Sequence, residues 1–280
     1  MMKWLVVSAI GAALALWPSD GAASTFFQET LRCPVGGKEF TATLQGSSSS
    51  FGQRPDGRPY STGLAPPPEC PGNGFVFYKD KFTADEAAKL TPLVNGAEYQ
   101  ALRGTENVYY RLYWLLQHMG AKADEVAQAV LVASWNSDDE PERKARYQRE
   151  FVALAATLPA DTKDLFWYQA RAADLLRELG DHAGSNALLS VMEPRIAAFP
   201  SSEARENWTL FVSSLRVLNA EGNRLAEPVT MVPPQVAASI CVDTKRPLTG
   251  SERERCASAS LKEPIASYRA MRERMSELPR

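Results

Sequence analysis

The amino-acid sequence predicts a mainly α protein: a small N-terminal β unit over residues 25–80, an irregular array of helical hairpins over residues 83–222, and a C-terminal region of extended chain and helices over residues 223–280. Three observations carry this prediction. Apolar residues recur with a period near two up to Tyr78 and near 3.6 from Thr83 onward, which separates strand from amphipathic helix. Gly120, Gly180 and Gly222 each close an apolar stripe, so the helices are joined by short connections. With 280 residues, 45% hydrophobic and 23% charged, the chain is long enough for one large or two modest cores.

The first 24 residues belong to neither region. Met1-Met2-Lys3, the apolar run Trp4 to Trp17 and the small residues Gly21-Ala22-Ala23-Ser24 follow the pattern of a secretory signal, with cleavage after Ala23 or Ser24. The apolar run is shorter than the roughly 20 residues that span a bilayer, and no cysteine stands at the cleavage point. A periplasmic or secreted chain with no stable membrane anchor is expected. The 31 basic and 33 acidic residues are interspersed and give a formal charge of −2, which argues against a nucleic-acid partner. The four cysteines, Cys33, Cys70, Cys241 and Cys256, form an even set suited to an oxidising compartment. Three pairings are possible, and proximity favours Cys33 with Cys70 and Cys241 with Cys256.

Within the β unit, Phe26 to Leu31 and Glu39 to Leu44 read as a hairpin turning at Val35-Gly36-Gly37, and Phe75 to Tyr78 reads as a third strand. Between them, residues 46–68 combine a serine run, Arg54-Pro55-Asp56-Gly57-Arg58-Pro59 and Pro66-Pro67-Pro68. That composition predicts a mobile loop.

Thr83 with Asp85 and Glu86 starts the first helix. Val108, Leu112, Leu115, Leu116 and Met119 make one stripe, and Val126 to Trp135 make the next. Asp138-Asp139-Glu140-Pro141 reads as the cap of a helix running to Pro159, and Asp161 as the start of another that ends at Gly180. A further helix through Leu189, Met192, Ile196 and Phe199 is expected to absorb Pro194 by bending. The last of the array runs from Trp208 to Leu218. Residues 223–248 lack a helical stripe and carry four prolines, so an extended segment is expected there. Thr249-Gly250-Ser251 then caps a helical region bearing Cys256, followed by a charged helix from Leu261 to Leu278.

Leu175-Leu176-Arg177-Glu178-Leu179-Gly180-Asp181-His182 resembles the turn between the two helices of a tetratricopeptide repeat, and Leu115 to Gly120 echoes it. The turn glycines lie 60 residues apart, not a multiple of 34, so the array is TPR-like and irregular. The opening Cys33-Pro34-Val35-Gly36-Gly37-Lys38-Glu39-Phe40 and the second knuckle Cys70-Pro71-Gly72-Asn73-Gly74 resemble a zinc-ribbon fragment. Together with the helical tail they are similar to a bacterial family in which Cys-Pro-x-Cys-Gly knuckles precede TPR-like helices. That resemblance puts the second ligand of each knuckle at Gly36 and Asn73, where this chain has none. Two thiolates do not make the four-ligand site that structural zinc requires. No metal or other cofactor is therefore expected, and Cys33 and Cys70, left adjacent, should be joined by oxidation.

Common hydrolase and nucleotide-binding motifs do not occur, so no catalytic residue is assigned. His118 and His182 have structural explanations in helix ends and turns. The aromatic group Tyr110, Tyr113 and Trp114 with Arg111, and Arg103 nearby, is the candidate binding surface for a peptide or protein partner. These features predict an exported binding or assembly module. The alternative is a cell-envelope hydrolase acting on peptide or glycan.

Overall fold

The structure, a computed structural model, describes residues 24–61 and 65–277. The signal-like segment lies outside these residues apart from Ser24. Within them the chain is mainly helical, with eleven α-helices and two small two-stranded sheets.

Strands β1 (Thr25–Arg32) and β2 (Glu39–Ser47) pair antiparallel, with Leu31 opposite Phe40 and Arg32 opposite Glu39. The connecting knuckle is closed by Cys33 N to Lys38 O at 2.9 Å and Gly37 N to Cys33 O at 3.1 Å. The second knuckle repeats this pattern, with Cys70 N to Phe75 O and Gly74 N to Cys70 O, both at 2.9 Å. Gly36, Gly37 and Gly74 have positive φ, which a side chain would strain. A disulfide joins Cys33 to Cys70, and Asn73 Nδ2 donates to Val35 O at 3.0 Å across the two knuckles. At one of the two positions where the zinc-ribbon resemblance places a second ligand, an amide therefore ties the knuckles together. The expected third strand is reduced to one bridge, Glu69 with Val76, because Pro66, Pro67 and Pro68 have no N–H for a ladder.

The composition of residues 46–68 suggests a mobile loop, but residues 50–61 within it form a hairpin. Strands β3 (Ser50–Gln53) and β4 (Pro59–Ser61) pair as a hairpin whose turn is buried. The reason lies in distant partners, described below.

Helices α1 (Ala84–Asn95) and α2 (Ala97–Thr105) follow. Thr83 caps α1 as expected: its Oγ1 accepts from Glu86 N at 3.2 Å while Glu86 Oε2 accepts from Thr83 N at 2.8 Å. Helices α3 (Val108–His118), α4 (Ala123–Trp135), α5 (Pro141–Thr157), α6 (Leu165–Leu179), α7 (His182–Met192) and α8 (Ser202–Ala220) each pack on the next in sequence. Phe151, Leu131, Tyr147 and Leu175 fill the core between α3 and α6, and Leu189, Met192, Val212 and Leu215 the core between α6 and α8. Phe75, Val76 and the Cys33–Cys70 bridge pack against Leu90, Val94, Tyr99 and Leu115, so the knuckles sit on the first three helices.

Three helix boundaries differ from expectation. At Pro194 the α-helix does not run on: α7 stops at Met192 and a 3-10 turn takes Glu193–Ala198, since proline cannot donate to the α ladder. Asp161 lies in a turn, and α6 begins at Leu165 behind Asp164, the one non-glycine residue with positive φ among the described residues. The cap of α5 is Glu140, which leaves Asp138 for another role.

The segment 223–248 is also not wholly extended. It holds helix α9 (Pro234–Asp243), with Pro234 at the first position, where a missing N–H is harmless. Helix α10 (Gly250–Ala257) is capped by Thr249 and joined to α9 by the disulfide Cys241–Cys256, and α11 (Lys262–Ser276) packs on α9. Two disulfides point to an oxidising compartment. Among the described residues no helix is long and apolar enough to cross a membrane.

Candidate functional site

The turn of the β3–β4 hairpin enters the helical array because its charged side chains find partners there. Arg54 is 3% exposed and Asp56 fully buried. Arg54 Nε donates to Asp56 Oδ1 at 3.1 Å, and its Nη1 reaches Asp138 Oδ2 at 2.7 Å. The backbone is fixed as well: Asp56 O accepts from Trp135 Nε1 at 3.3 Å and Pro55 O from Arg171 Nη1 at 2.6 Å. Gly57, at φ 92°, lies so close to Trp167 and Arg171 that a Cβ would stand 3.0 Å from each.

Asp138 is the hub of this contact. It accepts from Arg54 and Arg58 on Oδ2 and from Lys144 on Oδ1, the last at 2.9 Å. Lys144 continues to Glu178 Oε2 at 3.0 Å, which also accepts from Gln148 at 2.8 Å. One turn back on α6, Asp174 Oδ1 accepts from Arg177 Nε at 2.8 Å, and Arg177 Nη1 donates to Asn223 O at 2.9 Å. The cluster thus holds five cations, Arg54, Arg58, Lys144, Arg171 and Arg177, against four carboxylates, Asp56, Asp138, Asp174 and Glu178.

Burial and pairing set the protonation of these groups. Burial works against the charge of Arg54, yet Asp56 and then Asp138 hold its pKa above the ordinary value. Burial likewise opposes the Lys144 charge, and Glu178 and Asp138 outweigh it. Arg171, whose Nε has no partner, is lowered to about 10 by burial. Asp138 is lowered: desolvation opposes its charge, but Arg54 and Lys144 prevail. Burial raises Asp174 and also lifts Glu178 to about 7, helped in the latter case by the Asp174 charge.

Four members of the cluster, Arg54, Arg58, Asp138 and Lys144, also line a cleft of about 1050 Å³. Its remaining lining comes from Phe51 and Tyr60 of the hairpin, Tyr109, Trp135, residues 225–227, and the C-terminal helices with Asp243, Arg246 and Tyr268. Tyr60 Oη donates to Glu227 Oε1 at 2.8 Å, Tyr268 donates to Asp243, and Arg272 reaches Asp243 at 2.8 Å. Every acidic side chain of the lining therefore already accepts a hydrogen bond from the protein.

The residues singled out from the sequence lie elsewhere. Arg111 is buried: its Nη1 donates to Gly74 O at 3.1 Å and its Nη2 pairs with Glu69 at 2.7 Å, so it ties α3 to the second knuckle. Tyr110 stacks on Tyr147 at 4.5 Å and donates to Glu150 at 3.1 Å, with Tyr113 beside it. Trp114 points to the other side, stacked on His118 at 3.7 Å and near Tyr99 at 5.6 Å. The three aromatics are divided between two packing surfaces. Their neighbour Tyr109 is the α3 aromatic that lines the cleft. Arg103 donates to Gly72 O at 3.1 Å, and His182 lies beside Asn219 at 3.1 Å. The sequence carried one usable signal for the cleft, the pair of arginines around Pro55-Asp56-Gly57 in a stretch otherwise built like a loop.

No protein-family model, no curated protein and no solved structure matches the chain.

Proposed function

We propose that this chain is an exported, periplasmic binding or assembly module that recognises a peptide or protein segment, with no catalysis. Helices α3 to α8 serve as a TPR-like scaffold of irregular repeat, and recognition takes place in the cleft between the β3–β4 hairpin and the C-terminal helices. The observation that carries this reading is the cleft itself: it is large, aromatic and basic in lining, and each of its carboxylates is already engaged by a protein donor. That same feature gives no support to a cell-envelope hydrolase. The zinc-knuckle unit has a structural role here, as a disulfide-held cap on the first helices.

Site-specific photocrosslinking tests the reading. A photoreactive residue at Asn136, in the cleft, is expected to capture a discrete peptide or protein segment in the native envelope, whereas one at Leu210, on the outer face of α8, is not. Capture at Leu210 with none at Asn136 would move recognition out of the cleft.

A further inference from the structure

One cation of the cleft is oriented by the protein while half of its hydrogen-bonding edge stays open. Arg58 Nη1 donates to Trp135 O at 2.6 Å and to Asp138, which fixes the plane of the guanidinium. Its Nε and Nη2 have no partner among the described residues, and its side chain is 37% exposed on the cleft wall. The other cations of the lining are differently placed. Arg54 is clamped between Asp56 and Asp138, Lys144 between Asp138 and Glu178, and Arg246 lies against Glu252 at 2.6 Å. The Nε–Nη2 edge of a guanidinium matches the two oxygens of a carboxylate, and a planar fork already held in place loses little freedom on binding one.

The charge balance points the same way. The cluster behind the cleft has one more cation than carboxylates, and burial pushes two of its carboxylates, Asp174 and Glu178, toward protonation. The cleft also holds Glu227, bound by Tyr60, and Asp243, bound by Tyr268 and Arg272, and of the cluster's cations Arg58 is the one most exposed to it. On the lining of the same cleft, the rings of Phe51 and Tyr60 stack at 5.8 Å and 24°, with Phe51 51% exposed, and the Tyr109 hydroxyl has no partner among the described residues. An apolar body and an extra acceptor would both be received there.

We infer that Arg58 anchors the ligand of this cleft, and that the ligand carries a carboxylate on an apolar or aromatic body. This rests on the cleft being the recognition site and names what it recognises. A peptide C-terminus, an acidic side chain and a small aromatic acid share that chemistry, and the test separates them.

An array of random tetrapeptides is synthesised in two forms, with free C-termini and as C-terminal amides, and probed with the disulfide-intact protein. Phenylacetate is titrated separately by calorimetry. The expected result is that retained peptides carry a carboxylate beside an apolar residue, and that Arg58→Gln weakens them at least tenfold. Arg58→Lys, which keeps the charge but loses the fork, is expected to weaken them nearly as much, while both variants keep the wild-type unfolding midpoint within a few degrees. Loss on amidation assigns the C-terminus; retention on amidation only by Asp- or Glu-containing peptides assigns the side chain. Binding of phenylacetate that depends on Arg58, without peptide binding, would uphold the anchor and overturn the peptide reading. Peptides bound without regard to a carboxylate, weakened by Tyr60→Ala but not by either Arg58 variant, would overturn the anchor and leave the peptide reading intact. Failure of every probe would overturn both.

Discussion

The N-terminal unit contains two hairpins that solve the same problem by different means. The β1–β2 ribbon stands nearly free of the helices, with Phe26 and Phe27 about half exposed, and its knuckle end is secured by a disulfide and an apolar cluster. The β3–β4 hairpin has no covalent link and few apolar residues, and it is secured by burying Arg54 and Asp56 among the helices. A staple tolerates poor packing because it acts largely by restricting the unfolded chain. A buried ion pair tolerates nothing of the kind, since each charge is costly unless its partner is in place. The first hairpin is therefore local and robust, and the second is conditional on the helical array.

That contrast can be broken from either side. The largest effect is expected from Asp56→Ala, which leaves the buried Arg54 charge with Asp138 alone and the Arg58 amide without its acceptor; it should cost about 3–5 kcal/mol in urea unfolding, while the pair replacement Arg54→Met with Asp56→Leu should cost much less. A loss below about 1 kcal/mol for Asp56→Ala would mean that the hairpin is not held by its charges. Replacing Cys33 and Cys70 by serine opens a separation of 37 residues and should cost about 4 kcal/mol, against about 3 kcal/mol for the Cys241–Cys256 pair with its separation of 15. Thermal unfolding with and without reductant checks both the size and the order.

The pH dependence of the cluster sharpens the comparison. The folded-state pKa of Glu178 is raised from 4.5 to about 7, chiefly by burial and then by Asp174. Between those values the folded protein binds more protons than the unfolded chain at this group, so its contribution to stability falls as pH rises from about 4.5 to about 7. Glu178→Gln removes that titration, and its unfolding midpoint should change less over the window than that of the wild type; an unchanged pH profile would contradict the burial of the charge. Tyr60→Phe should show the smallest effect, about 1 kcal/mol from the lost bond to Glu227, with the fold intact by circular dichroism.

The two hairpins also differ in how far the sequence reveals them. The β1–β2 turn and each knuckle turn rest on residues close in sequence, where glycine and proline chemistry is local, and the cysteine pairs follow from their order along the chain. Most helices from Thr83 to Gly222, with the cap at Thr83, were legible for the same reason, but the breaks at Gly96 and Asn107 and the boundaries at Asp161 and Pro194 were not. The β3–β4 hairpin was not, because Arg54 meets Asp138 across 84 positions and Pro55 meets Arg171 across 116, and no local pattern encodes those meetings. Helix α9 was hidden by Pro233-Pro234, which reads as a breaker although Pro234 occupies a helix start. The packing of α3 is likewise set by distant partners. Arg111 and Trp114 look available in sequence, yet Gly74, Glu69 and His118 already engage them.

Native-state hydrogen exchange of residues 50–61 in the oxidised protein tests most directly whether this charged, proline-rich stretch is a fixed wall of the cleft. Amides such as Arg54 N and Gly57 N, bonded to Arg58 O and Arg54 O at 2.8 and 2.9 Å, should exchange with protection comparable to that of α4 and α6. Exchange at the rate of an unstructured chain, with α4 and α6 still protected, would contradict it and remove the cleft on which recognition depends.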